Sequence, residues 1–154
     1  MTLWKKIGWG IVAALVIVQF IRPSKNESEQ LITENDISKT YAVTDDVHQI
    51  LIKKCYDCHS NSTVYPWYSN IQPIGWWLAS HVDEGKEELN FSEFKTYPEK
   101  KANHKMEELS EAVNEGWMPL DSYLWIHGDA KITEADKNVI NAWIKTLPIV
   151  FEKE

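Results

Sequence analysis

Arginine is almost absent from the 154-residue chain, and basic residues in general are few. Arg22 is the only arginine, and four of the 16 basic residues precede the first acidic residue, Glu27. From Glu27 onward, 12 basic residues face 23 acidic ones, so this part of the chain carries a formal net charge of −11. Because such a charge repels phosphate groups, the composition argues against nucleic acid and anionic lipid headgroups as partners.

Cysteine is equally scarce, and this scarcity limits the chemistry that the chain can support. The two cysteines, Cys55 and Cys58, lie three positions apart, and the sequence has no second pair. A closed zinc site usually requires four ligands, which disfavours zinc. A redox-active dithiol of the thioredoxin kind requires a βαβ context, and strand signals are rare in this sequence. Neither zinc nor dithiol chemistry is therefore the favoured role of the pair.

Helical patterns account for most of the chain after residue 44. Four segments carry apolar residues at spacings of three and four, which is typical of amphipathic helices. The segments begin near Thr44, Trp76, Pro98 and Thr133. Gly116 can end the third helix, and the residues Thr-Glu-Ala-Asp can cap the start of the fourth. The sequence thus predicts an all-α domain over residues 44–150.

An uninterrupted apolar run occupies residues 7–21, directly after Lys5 and Lys6. The run approaches the roughly 17–25 residues that cross a bilayer. No small-residue cleavage site follows it, although a cleaved signal peptide is the alternative. The two lysines favour a cytoplasmic amino terminus. We therefore predict a single transmembrane anchor in residues 1–23, in the cytoplasmic (inner) membrane, and a polar linker over residues 24–43 that leads to a periplasmic body.

The pentapeptide Cys55-Tyr56-Asp57-Cys58-His59 is the attachment pattern of c-type haem. Two thiols three positions apart on a helical turn can reach the two vinyl groups at one edge of a porphyrin. The histidine that follows then places an imidazole beneath the iron as the proximal ligand. The pattern predicts one covalently attached haem c per chain, with Cys55 and Cys58 as the attachment points and His59 on the iron.

The second axial ligand of the iron is open between a methionine, a histidine, and water or a vacant position. Met118 falls in a loop between two predicted helices, where a thioether could reach the distal face. Met106 lies instead on the apolar stripe of its helix, which indicates a core residue. Among the histidines, His81 is the main alternative ligand, because it shares a helix face with Trp77 and Leu78.

Three stretches of the chain resemble the small bacterial haem-binding domain family. The stretches are CYDCHSNSTVYPWYSNIQPIGWW (55–77), HVDEGKEELNFSEF (81–94) and MPLDSYLWIHGDAKITEADK (118–137). The resemblance covers about residues 44–147 and implies an all-α fold similar to class I cytochrome c. It also implies thioether links at Cys55 and Cys58, His59 as the proximal ligand and Met118 as the distal ligand.

Together these features predict a monohaem c-type cytochrome domain that transfers single electrons to or from an unidentified redox partner protein. One haem, a second axial ligand and no acid–base constellation favour an electron carrier over an enzyme. The alternatives are a peroxidase-like enzyme, in which His81 would act as acid–base catalyst, and a sensor of redox state or a diatomic gas with a labile distal ligand. A low-spin, six-coordinate ferrous spectrum would favour electron transfer, and a high-spin one the two alternatives.

Overall fold

Every regular element within residues 2–149, the part of the chain that the computed structural model describes, is helical. This confirms the predicted all-α class. Residue 1, where the predicted anchor segment begins, and residue 150, where the predicted domain ends, lie outside the described part. The α-helices are α1 (Leu3–Val18), α2 (Asp45–Lys54), α3 (Tyr56–His59), α4 (Ile74–Glu88), α5 (Glu99–Glu115), α6 (Asp121–Leu124) and α7 (Glu134–Ile144). Short 3-10 helices occupy Ile37–Lys39, Trp67–Asn70, Phe91–Thr96 and Gly128–Ala130.

The helix ends follow the local signals in the sequence. At the start of α7, the Thr133 side chain accepts a hydrogen bond from the Asp136 backbone, and the Asp136 side chain accepts one from the Thr133 backbone. This reciprocal capping box satisfies two backbone donors that a helix start otherwise leaves free. Helix α5 ends at Gly116, whose φ of 80° lies in the left-handed region that favours glycine. Both predicted helix ends are therefore confirmed.

The hydrophobic core lies between α2, α5, α7 and the 3-10 helix Phe91–Thr96. Leu51, Met106 and Ile140, one from each of the three α-helices, are fully buried. The predicted core role of Met106 is thereby confirmed. Tyr56, next to Cys55, is also buried and stacks on Phe91 with 5.2 Å between the ring centroids. This contact joins the cysteine-bearing helix α3 directly to the core.

Part of the stretch predicted as a polar linker, residues 24–43, packs into the helical body. Asp36 and Ile37 are completely buried, and the Tyr56 hydroxyl donates to Asp36 Oδ2 at 3.0 Å. The side-chain amide of Asn26 donates to the backbone carbonyl of Ser60 at 2.7 Å. A polar stretch without helical periodicity is ordered here because its polar groups find partners on the body, which periodicity alone does not reveal.

The prediction of an N-terminal transmembrane anchor is wrong. Helix α1 has 16 residues, and within residues 2–149 no helix combines the length and the apolar character needed to cross a bilayer. The apolar run continues past the helix end at Val18. There, the Gln19 side chain donates to the Gln72 carbonyl at 3.0 Å, and the Trp76 indole donates to the Ile21 carbonyl at 2.7 Å. The same finding overturns the predicted location, which was a single-pass anchor in the cytoplasmic membrane with a periplasmic body.

Candidate functional site

A cavity of about 540 Å³ lies between α3, α4, α5 and the segment that follows α5. Its volume falls within the roughly 300–1,000 Å³ of small-molecule and cofactor sites, and most of its lining surface is carbon. The structure brings all five predicted site residues to its wall, namely Cys55, Cys58, His59, His81 and Met118. These five residues come from three separate parts of the chain and converge on one apolar cavity.

The two cysteines lie on a single turn, formed by residues 55–59 and called the cysteine turn below. The backbone N–H groups of Cys58 and His59 donate to the Cys55 carbonyl at 3.2 and 3.0 Å. Both thiols are half-buried and free. Burial raises the pKa of Cys55 to about 12 and that of Cys58 to about 11, so both stay protonated at neutral pH. A reactive dithiol needs a lowered thiol pKa, so these pKa values disfavour that chemistry.

The orientation of His59 suits an iron ligand. Its Nδ1 lies 2.9 Å from the backbone carbonyl oxygen of Leu89, just past the end of α4. Because a carbonyl only accepts hydrogen bonds, Nδ1 carries the proton and Nε2 keeps its lone pair. Burial also lowers the pKa of His59, which favours the neutral imidazole. A fixed neutral imidazole beside two thiols on one turn is a donor set that fits a covalently attached haem.

Helix α4 lies directly against the cysteine turn, and Gly85 allows this approach. A Cβ atom at position 85 would lie 2.7 Å from the backbone oxygen and 3.1 Å from the Cβ of Cys58. The first distance is shorter than carbon–oxygen contacts in folded proteins allow, and the obstructing atom belongs to the backbone. Any side chain at position 85 would therefore separate the helix that orients His59 from the turn that carries the cysteines.

We expect Gly85→Ala to destabilise the protein by about 1 kcal/mol on balance. Overpacking typically costs about 1–3 kcal/mol, which exceeds the gain of up to about 1 kcal/mol from a better helix former. Denaturant unfolding of the haem-loaded protein measures the difference. Gly128→Ala is the matched control, because a Cβ at position 128 meets nothing within 4 Å. Equal stability of the two variants would contradict the close contact at Gly85.

Both candidate distal ligands reach the cavity, but from different walls. Met118 is half-buried in the segment after α5. His81 belongs to α4, where its Nδ1 lies 3.6 Å from a Glu84 carboxylate oxygen and its ring packs against Trp77 at 4.5 Å. The remaining histidines of the described chain, His48, His104 and His127, do not line this cavity. Besides His59, His81 and Met118 are the histidine and methionine residues of the described chain that line this cavity.

Charged side chains that sequence reasoning missed also line the cavity. Lys105 on α5 pairs with Glu88 at 3.2 Å and with Glu108 at 2.7 Å. Lys54, next to Cys55, donates to Asp136 at 2.7 Å. No sequence motif indicates that these lysines belong to the site. They lie at the cavity because their helices pack around it, and in a chain with one arginine they are the cations that line its wall.

Tyr123 is the other residue that the sequence did not single out. Its hydroxyl donates at 2.7 Å to Oδ2 of Asp57, a residue that lies between the two cysteines in the sequence of the turn. Burial and the adjacent carboxylate raise the pKa of Tyr123 far above its ordinary value. The residue therefore acts as a permanent hydrogen-bond donor at neutral pH. A tyrosine in the stretch 118–137 was part of the family resemblance, but no spacing rule connects it with Asp57.

Comparison with known proteins identifies a family for this chain. A family described as "Haem-binding domain" matches residues 13–146, so the match begins within α1 and ends near the end of the described chain. No curated protein and no solved structure matches the chain significantly. The match spans most of the sequence and confirms the resemblance drawn from the motifs. The chain belongs to the haem-binding domain family.

Proposed function

We propose that this protein is a monohaem c-type cytochrome that transfers single electrons. Membership of the haem-binding family supports haem as the ligand. The observation that carries the finer proposal is the cysteine turn, in which two free thiols share a cavity wall with an imidazole oriented by Leu89. Such an arrangement suits covalent attachment at one edge of the haem and axial ligation beneath it.

Each residue of the site has a defined role in the proposal. The thiols of Cys55 and Cys58 would hold the haem through two thioether bonds. Each sulfur would bond to one carbon of a vinyl group, and the thiol hydrogen would go to the other carbon of that group. His59 would bind the iron through Nε2, and its Nδ1–H bond to the Leu89 carbonyl fixes the orientation of the ring. The largely apolar wall of the cavity would limit the access of water to the iron. When bound, the haem supplies an iron that alternates between the ferrous and ferric states.

The arrangement favours Met118 over His81 as the distal ligand. His59 is hydrogen-bonded to the end of α4, and His81 belongs to that same helix. A second ligand for the iron would therefore come more easily from a cavity wall other than the one that holds His59. Met118 comes from the segment after α5 and meets this requirement. Its thioether would also favour ferrous iron and raise the reduction potential.

A redox titration of the haem-loaded protein followed by optical spectroscopy tests the proposed function. We expect one reversible one-electron transition, with a slope of about 59 mV per tenfold change in the ratio of oxidised to reduced protein, and a low-spin six-coordinate ferrous form. Two axial protein ligands leave no open position for substrate, which is the physical reason for this expectation. A high-spin ferrous form would contradict it. The contact of His81 with Glu84 on the cavity wall would then support the peroxidase-like alternative.

A further inference from the structure

The segment that carries Met118 lies between two fixed points. Before it, α5 ends at Gly116, which adopts a left-handed conformation. After it, the backbone N–H groups of Tyr123 and Leu124 donate to the Leu120 carbonyl, at 3.0 and 3.1 Å, and begin α6. Within the described chain, residues 117–119 contribute no hydrogen bond of their own. The position of Met118 therefore depends on how the two ends of its segment are held.

Tyr123 ties the far end of this segment to the cysteine turn. Its hydroxyl donates to Asp57 Oδ2 at 2.7 Å. The other carboxylate oxygen, Oδ1, accepts the backbone N–H of Val64 at 3.0 Å, and the Asp57 carbonyl accepts the Thr63 hydroxyl at 2.6 Å. Because Asp57 is fixed at three atoms by three donors, it is a preorganised acceptor rather than a mobile surface carboxylate.

The next attachments of the chain lie beyond Tyr123. His127 stacks on Tyr123 with 4.4 Å between ring centroids, and its Nε2 lies 3.0 Å from the Tyr68 hydroxyl. Farther on, the Lys131 carbonyl accepts a hydrogen bond from Lys54 at 2.7 Å. Tyr123 is thus the first residue after Met118 whose side chain bonds to the rest of the body. It also lines both the main cavity and an adjoining cleft of about 310 Å³.

We propose that the Tyr123–Asp57 hydrogen bond is a positioning pair that holds Met118 at the iron. The inference rests on the proposed function, because it takes Met118 as the distal ligand. The bond connects the turn that attaches one edge of the haem with the segment that supplies the second axial ligand. Without it, the first side-chain hydrogen bond from the chain after Met118 to the rest of the body would be that of His127 to Tyr68, nine residues beyond Met118. The thioether would then leave the iron more often. Tyr123 is not itself an iron ligand in this proposal and acts through Met118.

Competition by imidazole for the ferric iron tests the positioning pair in the haem-loaded protein. We expect Tyr123→Phe to keep the haem and the fold but to bind imidazole about tenfold more tightly than the wild type. A tenfold change equals about 1.4 kcal/mol, a loss in the range of one hydrogen bond to a charged acceptor. The same variant should lose the near-infrared band of methionine–iron ligation at a lower temperature. Optical titration and heating measure both effects.

Tyr68→Phe is the matched control, because it removes a tyrosine hydroxyl that bonds to His127 and not to the cysteine turn. We expect it to bind imidazole like the wild type, and an equal gain in both variants would overturn the proposal. In Asp57→Ala, further replacement of Tyr123 by phenylalanine should add nothing, because the acceptor is already gone.

Met118→Ala separates failure of this inference from failure of the proposed function. If Met118→Ala binds imidazole more tightly while Tyr123→Phe does not, the ligand assignment stands and the positioning pair is refuted. If Met118→Ala itself leaves the imidazole affinity unchanged, the ligand assignment fails, and the positioning role of Tyr123 fails with it. A purely structural role of Tyr123 would lower the unfolding temperature without changing imidazole affinity in the folded protein, which also refutes the proposal.

Discussion

The double variant Cys55→Ala/Cys58→Ala is expected to lose all covalently bound haem. Thioether bonds survive denaturation, so the wild-type chain should keep its haem on a denaturing gel. Mass spectrometry of the intact chain should show the mass of the polypeptide plus that of the haem. Both thiols are half-buried on the wall of the cavity, and neither is used in a disulfide. Haem staining and mass spectrometry measure the loss after expression in cells that contain the c-type maturation machinery.

Three control variants make the loss specific to the thiols. Each single variant, Cys55→Ala or Cys58→Ala, keeps one thiol and should retain haem through one thioether bond. Met118→Ala keeps both thiols and should retain haem fully, because an axial ligand forms no bond that survives denaturation. Haem that is extracted from the denatured wild type by acidified organic solvent would contradict the c-type attachment while leaving haem binding itself intact.

Local signals in the sequence are sufficient to predict the main helices of the body. They are insufficient to predict the structure on its amino-terminal side. The capping box at Thr133 and the end of α5 at Gly116 depend on residues within a few positions of each other, which the sequence displays directly. The anchor prediction failed because it counted apolar residues without knowing where the helix ends. Helix α1 stops at Val18, since Gln19 and the residues after it bond to the region around α4.

In the candidate site, too, the sequence predicts some residues and not others. Residue type and spacing singled out Cys55, Cys58 and Met118, and the structure brings these residues to one cavity. The partners that orient them could not be predicted. The Leu89 carbonyl that fixes His59 is a backbone atom without any sequence signature. The contact between Tyr123 and Asp57 joins two segments that are distant in the chain, and only tertiary packing brings them together.

Met118→Ala should change how the iron behaves without releasing the haem. A thioether is a soft, neutral ligand that favours ferrous iron, so its removal should lower the reduction potential. We expect a shift of about 59 mV or more, which corresponds to a tenfold change in the one-electron equilibrium. The ferric variant should lose the near-infrared charge-transfer band, and the ferrous variant should bind carbon monoxide at the open position. Redox titration and optical spectroscopy measure these changes.

Met106→Leu is the control for a change of methionine as such. Met106 is completely buried in the core, and leucine conserves its volume. The free energy of unfolding should therefore fall by less than about 1.5 kcal/mol, while the near-infrared band and the reduction potential stay unchanged.

A spectrum that is the same in Met118→Ala as in the wild type would make Met118 a packing residue of the cavity wall. His81→Ala then becomes the decisive variant. If it alters the spectrum, the iron has two histidine ligands, and the lower potential of such a site would suit a different redox partner.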